Sequence, residues 1–388
     1  LVDTRGRAVK ALSVRDGRMY LTLPGAPPEK PEDTAGVKQG AKAARKPAAK
    51  PPASPPLPTV LEIRDAASGQ LIREIGGPEA DIELMLHDPA GRIYSIVGTK
   101  LCRTELGDQS IRHMVLNEKD LVAPISLAVD QDRGERIAVG DEQKDAVLIF
   151  NPRGKLVLTV GGVGPRKPGP WDPHTVDRPM GVAFDARGKI WVVENYFVPK
   201  RVTRFSADGK FEQVHFGPPM YGGGGFLDPD LKSFYYQACE YALDWEQGTT
   251  RLVNLNDKFG DPMSPDLHFN GYAYTKLGRP IYYRDRRYVV GDVGYQYNPG
   301  FAVCLLEGPV FRPCAGMGPA EKSGFLLNKE SWKAHWKEQD LKGKSFIWCD
   351  RNDDGNYQVQ EVELVSDADF GKGGPFAGAY WGNRCSAD

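Results

Sequence analysis

The 388 residues carry a net charge of −1 and include 44 Gly and 31 Pro. That balance excludes the basic field a nucleic-acid binder needs, and no apolar run reaches the roughly 18 residues of a membrane-spanning helix. Abundant turn formers, plentiful aromatics and few long helical periods predict an all-β fold.

Residues 1–23 read as two strands, Val9 to Leu12 and Met19 to Leu21, joined by the turn pair Asp16-Gly17. From Pro24 to Pro58 the chain is Pro, Ala, Lys and Gly with almost no large apolar side chain. Such a stretch cannot bury enough surface to offset its ordering entropy, so 24–58 is expected to be a disordered insertion. The strand pattern resumes at Val60 to Asp65 with the turn Ala67-Ser68-Gly69, and residues 1–23 and 60–76 together make one four-stranded unit. A second unit spans 82–118, around the turn Asp88-Pro-Ala-Gly91 and the strand Ile93 to Val97. A third spans 121–160.

The fourth, around Arg178 to Lys210, is the best formed. Val182, Phe184, Ile190 and Val192 alternate with smaller or polar residues, the period of a packed strand. Asp185 to Gly188 and Ala207-Asp208-Gly209 supply the turns. Pro124 and Pro179, Asp130 and Asp185, Phe150 and Phe205, and Gly154 and Gly209 share one spacing, which identifies a repeat. The loop 161–178 stands between these two copies. A fifth unit reads Gly222 to Asp228, Phe234 to Tyr236, and Tyr241 to Trp245 with the turn Glu246 to Gly248. A sixth contains Pro280 to Tyr283, the turn Arg284 to Arg286, Tyr288 to Val290 and Ala302 to Leu306. Residues 328–340 read as a helix with Trp332 and Trp336 on one face, and Ser345 to Cys349 as a strand.

Four short antiparallel strands in about 40 residues are the size of one β-propeller blade. The chain is therefore expected to be a propeller of six blades over 1–388, with a seventh begun after Leu341 as the alternative. Its opening at Leu1 inside a strand pattern, and its end at Asp388 without a closing feature, predict a piece of a longer chain. Six cysteines occur without a C-x-x-C pair, so no zinc knuckle or haem attachment is expected. The gap between Cys304 and Cys314 is compatible with a local disulfide; the alternative is that the cysteines are small buried apolar residues.

The fourth unit resembles the NHL repeat, a propeller blade with the pattern Pro-x-Gly-Ile-Ala-Val-Asp, then Gly, an apolar strand, an acidic residue with Asn, and an Arg in the third strand. The matches are Pro179, Gly181, Ala183, Asp185, Gly188, Ile190, Val192, Glu194, Asn195, Arg201, Phe205 and Gly209. The chain is also similar, more weakly, to SMP-30 or gluconolactonase-like propellers. That likeness implies a divalent ion held by Glu, Asn and Asp, with an Asp before the Gly of the Pro-x-Gly element. Met180 stands at that position here, and Met cannot replace a hard oxygen ligand.

Asp350 to Glu361 reads D-R-N-D-D-G-N-Y-Q-V-Q-E, the full D-x-[DN]-x-[DN]-G-x5-E pattern of a calcium loop. Asp350, Asn352, Asp354, Asn356 through its carbonyl, Gln358 and Glu361 would supply the oxygens a hard cation needs, and Gly355 the bend. It resembles an EF-hand or dockerin-type loop, yet Phe346 to Cys349 reads as strand, so the entering helix is missing. A Ca2+ here is expected to be structural; the alternative is a polar turn without metal.

Asp141, Glu194, Glu240 and Asp292 fall after the second strand of their units, where propeller loops gather at one end of the channel. The loop 161–178 adds Trp171, Asp172, His174, Asp177 and Arg178; Asn195 and Tyr196, with Tyr221, Tyr241 and Tyr295, would join them. This set suits a protein, peptide or carbohydrate partner. Each carboxylate can equally cap backbone amides. His174, near Asp172 and Asp177, is the best general-base candidate, with Glu194 beside it. Two readings result: a periplasmic or secreted binding or scaffold module with a structural Ca2+, or a metal-dependent hydrolase or lyase at the channel face.

Overall fold

Two-residue turns with both central φ angles positive match the right-handed twist of paired strands. Asp16 and Gly17 (φ 49° and 70°) and Arg284 and Asp285 (φ 47° and 60°) adopt them in the computed structural model of the chain. The structure describes residues 7–25, 58–162, 164, 169–194, 200–217, 226–236, 239–255, 281–292, 301–322, 341–354 and 358–370. The fold is all-β, of propeller-blade sheets. The first consists of β1 (Ala11–Arg15), β2 (Arg18–Pro24), β3 (Thr59–Asp65) and β4 (Leu71–Gly76). The second holds β5 (Leu84–His87), β6 (Ile93–Val97), β7 (Lys100–Leu106) and β8 (Ile111–Asn117), and the third β9 (Pro124–Val129), β10 (Ile137–Asp141), β11 (Ala146–Phe150) and β12 (Leu156–Gly161). After the two-residue β13 (Gly169–Pro170) comes the fourth, of β14 (Pro179–Phe184), β15 (Ile190–Glu194), β16 (Arg201–Phe205) and β17 (Phe211–Phe216). Strands in these four sheets pair in chain order.

The chain divides into two units: residues 1–162, 178–193 and 204–212, and residues 163–177, 194–203 and 213–388. In the first unit the opening strands of successive sheets touch: β1 against β5, β5 against β9, and β9 against β14. Neighbouring first strands are the packing of propeller blades. Side chains tie the joints: Ser13 Oγ lies 2.7 Å from His87 Nδ1, and Ser126 Oγ donates to Pro179 O at 2.7 Å. Between the first and second sheets Leu61, Ile75, Ile82, Met85 and Ile93 form one core; between the second and third, Tyr94, Ile96, Leu101, Ile137, Val139, Leu148 and Phe150 form another.

One device shapes the β-turns. A short polar side chain binds the amides ahead of it while a glycine in the left-handed region closes the loop. Asp185 Oδ1 accepts from Arg187 N and Lys189 N (2.9 and 3.0 Å), and Gly188, at φ 74°, donates to Asp185 O at 2.8 Å. Asn151 with Gly154, and Ser206 with Gly209, repeat it between the third and fourth strands of their sheets.

The insertion is narrower at both ends than its composition suggests. Pro24 belongs to β2 and pairs with Thr59, and Gly25 N donates to Pro58 O at 2.6 Å. Residues 26–57 lie outside the described residues, as do 328–340 with Trp332 and Trp336, and the chain's first six residues.

In the second unit a sheet is built from β18 (Phe226–Leu227), β19 (Ser233–Tyr236), β20 (Cys239–Asp244) and β21 (Thr249–Leu255). It has a fifth member, because β13 pairs with β21 through Gly169–Leu255 and Pro170–Asn254. The segment read as a loop thus contributes an edge strand. The last sheet contains β22 (Ile281–Tyr283), β23 (Arg286–Asp292), β24 (Phe301–Glu307), β25 (Val310–Pro319), β26 (Lys344–Cys349) and β27 (Val362–Ser366). The strand after Leu341 joins this sheet: β26 adds to β25, and β27 to β26. Among the described residues Cys102, Cys314 and Cys349 are free thiols, so Cys314 is not bridged to Cys304. Cys304 faces Pro313 in the ladder, the Cys314 thiol donates to Val303 O at 3.3 Å, and burial pushes that thiol up to about 11.

Candidate functional site

The segment 169–177 of the second unit is shaped by one buried ion pair. Arg201 at the start of β16 and Glu194 at the end of β15 have fully buried side chains, and Arg201 Nε donates to Glu194 Oε2. A buried pair is sustained only when its remaining donors and acceptors are also used. Here the segment uses them: Arg201 donates to the carbonyls of Pro173 and Thr175, and Glu194 Oε1 accepts from Asp177 N at 2.6 Å. The guanidinium also lies 4.7 Å from the Trp171 ring centre, a cation–π contact. Asp172 closes the tip. Its Oδ1 accepts from His174 N at 2.9 Å and faces His174 Nδ1 at 3.0 Å, and these two contacts hold the Asp172 carboxyl below its usual range. The His174 side chain is exposed.

The loop sets Trp171 beside a chain of aromatic rings. Trp171 meets Phe216 edge-on at 6.3 Å, Phe216 meets Tyr241 edge-on at 6.0 Å, and Phe234 lies tilted 6.3 Å from Tyr241. These are favourable quadrupolar geometries. Phe216 is 38 % exposed, and Trp171, Tyr241 and Phe234 are half-buried. The result is a surface of flat apolar rings with a carboxylate and an imidazole at one margin.

The other residues read from the sequence have separate duties. Asp141, fully buried, takes four backbone amides: Val122 and Ala123 on Oδ2, Gln143 and Lys144 on Oδ1. Glu240 lies on the third strand of its sheet, not at the end of the second. Tyr235 Oη donates to its Oε1 at 3.1 Å and Asn254 Nδ2 to its Oε2 at 2.7 Å. Burial, reinforced by the Glu240 charge, pushes the Tyr235 phenol up. Glu240 and Tyr241 are adjacent on β20 and point to opposite faces, so only Tyr241 joins the rings. Arg178 lies in the first unit; its N donates to Asp145 Oδ1 at 3.3 Å and its Nε pairs with Glu142 at 3.2 Å. Asp292 ends β23. Asn195, Tyr196, Tyr221 and Tyr295 lie outside the described residues. Among the described residues no three His, Cys, Asp or Glu side chains form a metal-holding group. Phe216, Phe234 and the clasp made by Arg201 were not singled out from the sequence. Arg201 was visible there only as a repeat residue, and the aromatic spacing could not show which rings meet.

In the loop 350–361, the described donors are turned toward protein partners. Asp350 Oδ1 accepts from Asp354 N at 3.1 Å, while Oδ2 accepts from Arg312 Nη1 at 2.5 Å. Asp354 Oδ2 accepts from Asn352 Nδ2 at 3.0 Å and Gln358 Nε2 at 2.7 Å. Glu361, buried, accepts from Arg351 N on Oε1 (2.9 Å) and from the Trp348 indole on Oε2 (3.1 Å). Asn356 lies outside the described residues. A calcium ion needs the oxygens of positions one and twelve directed at one centre. Here Asp350 is bonded to a guanidinium and both Glu361 oxygens to protein donors.

No family model matches this sequence, and no curated protein matches it. Among solved structures, the chain is similar to one described as a nidogen/laminin complex, at 12 % identity and TM-score 0.31 over 63 % of this chain and 86 % of that one. It is also similar to YCF48 bound to D1 peptide, at 9 % identity and TM-score 0.33 over 76 % and 79 %.

Proposed function

We propose that the chain is a binding module of NHL type that docks a peptide segment of a protein partner on the Trp171, Phe216 and Tyr241 surface. The observation that carries the reading is the Arg201–Glu194 clasp: a fully buried ion pair fixes a short loop whose outward products are Trp171, Asp172 and His174. Rigid aromatic anchors lose little conformational entropy on binding and dominate peptide interfaces. The Asp172 carboxylate at the margin favours a peptide with Lys or Arg beside its apolar anchor. The NHL assignment is supported by the shared register of Pro124 with Pro179 and Asp130 with Asp185, and by their place in first strands and first turns.

The test is selection from a displayed peptide library on the wild-type chain and on a Trp171→Ala, Tyr241→Ala variant, with a glycan array in parallel. Basic-aromatic peptides enriched on wild type and lost on the variant are the expected result. Retention on the variant, or glycan binding without peptide enrichment, would overturn the peptide reading.

A further inference from the structure

We infer that Arg312 supplies, from within the protein, the positive charge for which the loop 350–361 carries a metal-binding pattern, so that its carboxylates Asp350 and Asp353 are neutralised without calcium. Arg312 sits on β25 opposite Leu305. Its guanidinium reaches three carboxylates: Glu307 through Nε and Nη2 (2.8 and 3.1 Å), Asp350 through Nη1 (2.5 Å) and Asp353 through Nη2 (2.5 Å). Two of the three lie in the loop, and Glu307 ends the preceding strand. All five guanidinium hydrogens lie in one plane, so one side chain can serve several carboxylates at fixed angles, as an ion serves its ligands. Asp350, the first position of the pattern, has a fully buried side chain, and Arg312 is 17 % exposed. A buried carboxylate without a cation would be costly, and here the cation is covalently part of the chain.

The other described residues of the loop are organised around the same choice. Asp353 takes a left-handed φ of 61°, which Asp tolerates, and its carboxylate meets Arg312. Asn352, Asp354 and Gln358, three further ligand positions, bond to one another. Glu361 is drawn to the Trp348 indole and the Arg351 amide, so the closing residue of the pattern anchors β27 against β26. The Glu307 carboxylate bridges back to the β24–β25 turn. Arg312 thus fastens the loop to the sheet from which it emerges, and calcium brought to this site would meet a guanidinium already bonded to its first ligand.

Calcium titration of the metal-stripped full chain by calorimetry, with melting curves in EDTA and in millimolar CaCl2, tests the assignment. Wild type is expected to give no binding heat and a melting temperature that calcium leaves unchanged. Arg312→Met is expected to melt lower by about 5 °C in EDTA, and Arg312→Lys, which keeps the charge but loses the fork, by less. Calcium restoring the Arg312→Met melting temperature would confirm that the arginine stands where a cation is needed. Stoichiometric calcium binding to wild type, a wild-type melting temperature that falls in EDTA, or an Arg312→Met chain as stable as wild type would each overturn the inference. If Arg312→Met fails to fold, the wild-type titration and Arg312→Lys still decide.

Discussion

The Arg201–Glu194 pair concentrates the stability of the candidate site in two side chains. Both are fully buried, so removing one breaks a charge pair out of reach of solvent. Arg201→Met is expected to cost about 3–5 kcal/mol in urea unfolding, and pairing it with Glu194→Leu to recover much of that loss. The double variant still lacks the clasp on Pro173 and Thr175, so it should lose peptide binding while regaining stability; recovery of both would deny the pair its positioning role. A second residue-scale test concerns Gly140 on β10. A Cβ there would lie 2.2 Å from Ser126 Oγ and 2.5 Å from Pro179 O, the point where β9 and β10 meet β14. Gly140→Ala is expected to destabilise by about 1–3 kcal/mol, since the opposing carbonyl belongs to a paired strand and cannot yield cheaply. A melting temperature equal to wild type would show that the joint is loose.

Among the elements, β2 and β3 form an ordinary ladder interrupted by a long insertion. Their register runs from Arg18–Asp65 to Pro24–Thr59, and Gly25 N to Pro58 O continues the contact beyond it. Replacing residues 26–57 by Asn-Gly should give a two-residue hairpin that the strand twist favours. Loop-closure entropy changes by only about 0.6 kcal/mol per doubling of length, so the shortened chain is expected to melt at or slightly above the wild-type temperature. A large loss would mean that the insertion carries contacts of its own. β13 has the opposite character: it is two residues long and is held as an edge by β21. Proline already stands at position 170, and edge placement is where a strand tolerates it.

At the scale of the whole chain, the response to acid follows from carboxylates whose charged form is favoured in the folded state. Burial alone would raise the Glu62 carboxyl, but its bonds to Arg64 and Arg7 outweigh this and lower it. Asp172 and Glu307 are lowered by hydrogen bonds to His174 and Arg312 that outweigh their burial; for Asp185 burial is the largest cause, and the bonds from Trp191 and the Lys189 and Arg187 amides together outweigh it. A lowered folded pKa contributes stability above the unfolded value, lost as pH falls through the folded one. The chain should therefore keep its stability down to about pH 4.3 and lose it progressively below. Glu62→Gln is expected to flatten the acid limb; an unchanged slope would remove Glu62 from the account. The sequence by itself determined the all-β class and many of the turns, because alternation and Asp-Gly pairs act within a few residues of one another. It also located the loop that carries Trp171 and His174. Only the tertiary structure decided that β13 leaves that loop to pair with β21, that β26 and β27 extend the sixth sheet, and that Glu240 serves Tyr235 while Tyr241 joins the rings. The loop 350–361 shows the division most sharply. Its ligand spacing is local and legible, whereas Arg312 lies 38 residues before Asp350 and reaches it only because β25 and β26 are paired. Which cation meets a carboxylate is settled by strand pairing, and pairing joins residues whose separation leaves no periodic trace.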